Sequence, residues 1–227
     1  MNRLVSTCAL AILTAACGGG GNGGTTGSGS SGGNDAGGGG DAAVGVDASD
    51  PIDAAGGPPG LVYTDPSGGA LRLVKNPAAT ATAMVLDFIV GDAPLTGYST
   101  GFNLPLDARR VTLGRFMPGH ALDPGTAPPA ARAVIPDDGP LHGVLVVAQS
   151  QKAAGGGAVP TDTVLAPGTV LCTVELAVAL PVQAGVVFDG SRAGFALPSG
   201  GLRNKVGTTI VDASRVKIGR LEVRTAQ

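Results

Sequence analysis

Few residues in this chain have the types and spacing that chemistry requires. Gly97-Tyr98-Ser99-Thr100-Gly101 matches Gly-x-Ser-x-Gly, the pattern in which a sharp strand-to-helix turn exposes a nucleophilic serine. The next residues oppose that reading. Phe102 to Leu106 alternates large with small or polar residues and contains Pro105, so a strand stands where the elbow needs a helix. Ser99 is therefore read as an outward-facing strand serine, with a serine hydrolase as the alternative. His120 and His142 are the chain's two histidines, and without helical spacing they form a weak metal pair. Asp137-Asp138-Gly139 is read as a turn, with calcium binding as the lesser reading. No phosphate-cradling Gly-x-x-x-x-Gly-Lys-Ser/Thr is present. The expectation is a protein that is not an enzyme and takes no cofactor or metal. The net charge of -2 offers no basic field, so no nucleic-acid partner is expected either.

The cysteines carry a different chemistry. There are three, at positions 8, 17 and 172. Arg3 precedes an apolar stretch from Leu4 to Ala16, too short for the roughly 20 residues that span a bilayer. It closes on small residues directly before Cys17. Leu13-Thr14-Ala15-Ala16-Cys17 resembles the bacterial lipobox, with Leu13 one position further out than usual. That resemblance implies signal cleavage after Ala16, a diacylglyceryl thioether on Cys17 and an acyl chain, such as palmitate, on its amino group. Cys8 would leave with the signal, and Cys172 would remain alone without a disulfide partner. Gly18 follows Cys17 instead of the Asp that commonly signals inner-membrane retention. Outer membrane or cell surface is the expected location.

Composition then divides the chain. Of the 39 glycines, 18 fall between Gly18 and Gly60, a stretch with no aromatic residue and only acidic charges. Such a segment buries too little surface to offset chain entropy. As Gly-rich coil it would reach about 40 Å. Asp47, Asp50 and Asp53 recur every third residue but lack the order of a calcium loop, so they read as solvated spacer. The expected organisation is signal peptide 1–16, lipidated Cys17 and disordered tether 17–60, and a folded domain 61–227.

The folded part is written in short apolar runs closed by Gly, Pro, Asp or Asn. In 98–106, Tyr98, Thr100, Phe102, Leu104 and Leu106 share one face; Pro105 marks an edge or the strand's end. In 170–178, Val170, Cys172, Val174, Leu176 and Val178 share a face opposite Thr173 and Glu175, which puts Cys172 in the core. Further strands are expected at 70–75, 84–90, 110–116, 131–135, 141–149, 185–188, 208–211 and 216–223. Proline and glycine spacing leaves no room for convincing helices. The reading is all-β: an antiparallel β-sandwich of about nine or ten strands.

Phe102-Asn103-Leu104-Pro105-Leu106-Asp107, followed by Val111-Thr112-Leu113-Gly114, resembles the start of a bacterial cohesin-type domain. Gly168-Thr169-Val170-Leu171-Cys172-Thr173-Val174-Glu175-Leu176 resembles that family's late strand. Leu106 stands where the family often has an aromatic residue. The resemblance implies a jelly-roll-like, immunoglobulin-like sandwich of about nine strands and a protein-binding role, with a dockerin-like partner; it carries over no binding residue, and a purely structural role without a ligand stays open beside it. A polysaccharide is the alternative partner, disfavoured because the chain has no Trp, two Tyr and five Phe.

Overall fold

The computed structural model of the chain describes residues 59–123, 128–153 and 160–225. The signal segment, Cys17 and all but the last two residues of the tether lie outside them. In chain order the strands are β1 (Gly60–Thr64), β2 (Leu71–Lys75), β3 (Ala83–Val90), β4 (Leu95–Gly97), β5 (Ser99–Pro105), β6 (Val111–Pro118), β7 (Ala130–Val134), β8 (Val144–Ser150), β9 (Thr163–Leu165), β10 (Val170–Val178), β11 (Gly185–Asp189), β12 (Ser199–Arg203), β13 (Thr209–Val211), β14 (Val216–Lys217) and β15 (Arg220–Arg224). A 3-10 turn, Ala213–Arg215, is the one helical element among the described residues.

Two five-stranded sheets form the sandwich, ordered β14-β2-β3-β10-β6 and β13-β12-β5-β8-β7. A three-stranded sheet, β1-β15-β11, and the pair β4-β9 complete it. Every pairing is antiparallel except the short β14–β2 contact. Alternation puts Thr100, Phe102 and Leu104 of β5 inside, as the sequence predicts, and Pro105 is the strand's last residue rather than an edge residue. Phe102 meets Phe88 of β3 across the interior, ring centroids 4.8 Å apart. Mostly Leu and Val side chains, with Met84, Ile218, Cys172, Tyr63 and Phe188, fill the remaining core.

Several boundaries differ from the sequence reading, each for a local reason. The run 216–223 is two strands, because Gly219 lies so close to the Thr64 carbonyl that a Cβ there would sit 1.8 Å from it. The run expected from 141 begins at Val144, since Gly139 and Gly143 have positive φ and residues 139–144 are tied into turns. In β10 a register shift between Val170 and Cys172 leaves Val170 exposed and turns Leu171 inward beside Cys172. β1, β4, β9 and β12 were absent from the expected strands. The last holds Gly200-Gly201, which reads as a breaker in sequence.

Tyr63 ties the smaller sheet to the larger one. Its hydroxyl donates to the Leu73 carbonyl at 2.7 Å and accepts from the Gly219 N–H at 2.8 Å. Its ring packs edge-on against Phe188, centroids 6.1 Å apart. Tyr63→Phe leaves both buried backbone groups unpartnered and should lower unfolding free energy by about 1–3 kcal/mol in a urea titration. Cys172 is fully buried, so Cys172→Ala should destabilise by roughly 1 kcal/mol or somewhat more, and native protein should resist thiol reagents. Burial pushes the Cys172 thiol up to about 12. The unfolded thiol ionises near its ordinary value of 9.0, so this contribution to stability is complete below that pH and fades as pH rises towards about 12. Alkaline destabilisation should be correspondingly weaker in Cys172→Ala.

Candidate functional site

The outer face of the sheet β13-β12-β5-β8-β7 follows from its inner one. Because Thr100, Phe102 and Leu104 point inward, Ser99, Gly101 and Asn103 point outward. Register aligns them with neighbours of the same kind. Gly101 sits between Gly201 of β12 and Ala148 of β8, and Ala148 is next to Arg132 of β7. Ser99 sits between Arg203 and Ser150, with Ala130 beyond; Asn103 lies between Ser199 and Val146. The result is a shallow depression of about 530 Å³ whose floor is glycine, alanine and serine.

Backbone geometry makes two of these glycines obligatory. A Cβ on Gly101 would lie 2.3 Å from the Val147 carbonyl oxygen. Gly201 has φ +119, and a Cβ there would lie 1.8 Å from the Val211 oxygen. Beneath the floor the polar groups are anchored inward. The Thr100 hydroxyl donates to the Gly201 carbonyl at 2.9 Å, and Gln149 Nε2 donates to the Gly119 carbonyl at 2.8 Å. Arg132 and Arg203 are exposed at the two sides, and Arg203 is steadied by donating to the Gly207 carbonyl at 3.1 Å. No described carboxylate is among the lining residues. The face is a low, mildly positive surface with hydroxyl and amide groups along it. It suits a partner that brings its own protruding side chains and negative charge.

The residues singled out from sequence do not converge here. Ser99 belongs to the face, but as a mid-sheet residue paired on both sides, not on an elbow. His120 follows β6 and lies 3.8 Å from Asp123. His142 Nδ1 is 2.6 Å from the Asp137 carbonyl oxygen, within a bend whose Asp137 and Asp138 side chains are exposed. Cys172 is enclosed in the core. Cys17, Asp47, Asp50 and Asp53 lie outside the described residues. Among the described residues, no group of three or more His, Cys, Asp or Glu is placed to hold a metal ion. Sequence reasoning missed Gly101, Ala148, Arg132 and Arg203 as a set. The usable signal was the small odd-numbered positions of 98–106, which alternation assigns to the outer face.

No protein-family model and no curated protein matches the chain. Solved structures with a similar trace include CaCohA2 from Clostridium acetobutylicum, 10% identical over 71% of this chain and 92% of that one, with a TM-score of 0.37. The seventh ScaB type I cohesin from Pseudobacteroides cellulosolvens is 13% identical over 66% and 84%, with a TM-score of 0.37. A type I cohesin–dockerin complex from Clostridium thermocellum gives 13%, 67% and 99%, with the same TM-score.

Ser99→Ala removes only a half-exposed hydroxyl, so stability should change by less than about 0.5 kcal/mol. Turnover of a panel of nitrophenyl esters should be the same for both proteins; turnover lost specifically in Ser99→Ala would revive the hydrolase.

Proposed function

We propose that this chain is an exported lipoprotein that presents a protein-binding β-sandwich outside the cell or at the outer membrane. The anchor is the lipid on Cys17, the segment to Gly60 is the spacer, and the binding surface is the open face of β12-β5-β8-β7. The observation that carries the binding role is this small-residue depression between Arg132 and Arg203. A partner's side chains can approach the sheet backbone there, and the two guanidinium groups favour carboxylates on the partner. Nothing in this reading calls for catalysis.

A carbohydrate-binding module is the second reading, and the same face disfavours it. Its one aromatic lining residue is Phe102, which is 2% exposed and turned into the core. No flat ring is offered for a sugar to stack on.

Capture of envelope proteins by the native chain tests the binding role. The double variant Arg132→Glu and Arg203→Glu should retain its melting temperature and lose partner affinity by about tenfold or more. Undiminished capture of the same partner would move the binding surface elsewhere. Cys17→Ser should abolish fatty-acid labelling and either stall processing or release the chain into the soluble fraction. If the cleaved variant still partitions into detergent, the anchor is not Cys17.

A further inference from the structure

The entry of the chain into the sandwich and its most exposed apolar loop lie at the same end. β1 begins at Gly60, opposite Arg224. Leu61 pairs with Val223, and Val223 on its other side pairs with Gly185, the first residue of β11. The loop leading to Gly185 is Ala179-Leu180-Pro181-Val182-Gln183-Ala184. Leu180 is 85% exposed, Val182 47%, and Val186, on the outer strand of the small sheet, 41%. No charged residue occurs from 177 to 188.

This loop is held in place. The Ala179 N–H donates to the Arg110 carbonyl at 2.8 Å, and Arg110 Nε donates to the Ala184 carbonyl at 3.1 Å, so one residue closes both ends. Gly185 has φ +132, and a Cβ there would lie 2.7 Å from the Arg110 guanidinium; glycine is what lets Arg110 reach across. Asp107 pairs with Arg110 and, at 3.1 Å, with Arg109. Backbone groups at the loop's ends are thus satisfied while its aliphatic side chains remain in solvent. Single exposed aliphatics are ordinary. A braced loop of uncharged residues carrying two of them is a surface suited to meet something apolar.

We propose that the loop 179–184 is a bilayer contact, with Leu180 and Val182 entering the interfacial layer of the membrane that holds the chain; Val186 stays outside it, beside Glu222 and its partners Arg220 and Arg224. The contact rests on the reading of Cys17 as a lipid anchor, which supplies proximity. On the reading of 18–60 as Gly-rich coil, a reach of about 40 Å would hold the domain at an effective concentration near the millimolar range, so a weak contact would suffice. Position selects lipid as the occupant: the loop stands beside Gly60, where the chain from the anchor arrives. The other strongly exposed aliphatics, Val164 at 74% and Val206 at 80%, belong to the far end of β5. Val164 pairs with Thr96, just before that strand begins. Arg203 pairs with Ser99 at its start, so the Val206 turn lies a strand's length from Asp107 and Arg110.

The test places an environment-sensitive fluorophore on Leu180→Cys or Val206→Cys in the mature lipidated chain, in phosphatidylethanolamine–phosphatidylglycerol vesicles with brominated acyl chains. Cys172 is buried and stays unlabelled. The probe at 180 should shift to the blue and be quenched severalfold more than the probe at 206. Equal quenching, or none at 180 in a chain that floats with the vesicles, overturns the contact. A second arm separates this from the anchor: the mature Cys17→Ser chain, held by an amino-terminal hexahistidine tag on nickel-chelating vesicles, should show the same contrast. Silence at 180 there rejects the contact, whereas failure of the native chain alone to float rejects the anchor. Val182→Asp should remove the blue shift at 180 without changing the melting temperature. A shift that needs no lipid and grows with protein concentration means a second copy covers the loop, and the proposal falls.

Discussion

The contact between Phe88 and Phe102 sets what the rest of the domain can be. Aromatic residues are 3% of this chain, so the two five-stranded sheets have few large rings with which to fill the space between them. The pair at 4.8 Å joins β3 of one sheet to β5 of the other, ring against ring. Once Phe102 must point inward, the pleat dictates its neighbours: Thr100 and Leu104 go in, and Ser99, Gly101 and Asn103 come out. The open face is therefore not a separate design laid over the fold. It is the other side of the strand that closes the core.

The two sheets resolve their outer faces differently. On β3 and β10 the outward positions are largely covered. Val85 is 8% exposed, while Asp87 and Thr173 are each 9% exposed and bonded together, with the Thr173 hydroxyl donating to Asp87 at 2.6 Å. Asn76 Nδ2 donates to the other Asp87 oxygen at 2.7 Å. A carboxylate so fully engaged has little left to offer a ligand. On β5 and β8 the outward groups are small, and Ala148 and both flanking arginines are exposed. Of the two surfaces, the second is the one that retains unspent donors and room for another chain.

Much of this architecture was legible where alternation is strong. Strands β5 and β10 stand close to their expected positions because a strand with one core face writes its pleat into the sequence, whereas β3, buried on both faces, shows as an unbroken apolar run. The hidden parts are those that glycine or brevity disguises. Gly200-Gly201 looks like a loop, yet it pairs with Phe102 and Gly101 and completes the sheet. β4 and β9, with three residues each, are too short to show a period. The face was illegible for a different reason. Arg132, Ala148, Gly101 and Arg203 come from four strands, and only register brings them into adjacent rows. Gly97 to Gly101 shows the converse: the chain does bend at Tyr98, between β4 and β5, but Ser99 opens a strand rather than a helix, so the strand-to-helix elbow that would make it a nucleophile is not formed.

Geometry also links the proposed face to the proposed membrane contact. β5 spans seven residues, about 20 Å, from the end bearing Ser99 to the end bearing Pro105. Beyond Pro105 the Asp107 N–H bonds the Val187 carbonyl at 3.1 Å, so this second end is the one that carries β11 and its loop. With Leu180 resting on lipid, β5 and β8 would stand away from the bilayer and their open face would look sideways. A partner would then meet Arg132 and Arg203 without first displacing the membrane. An unconstrained spacer would sample orientations in which the face is occluded as often as open. If the chain is anchored as proposed, a braced apolar loop at the entry end would bias the domain towards accessible orientations at little cost, because the anchor would already have brought it to the surface.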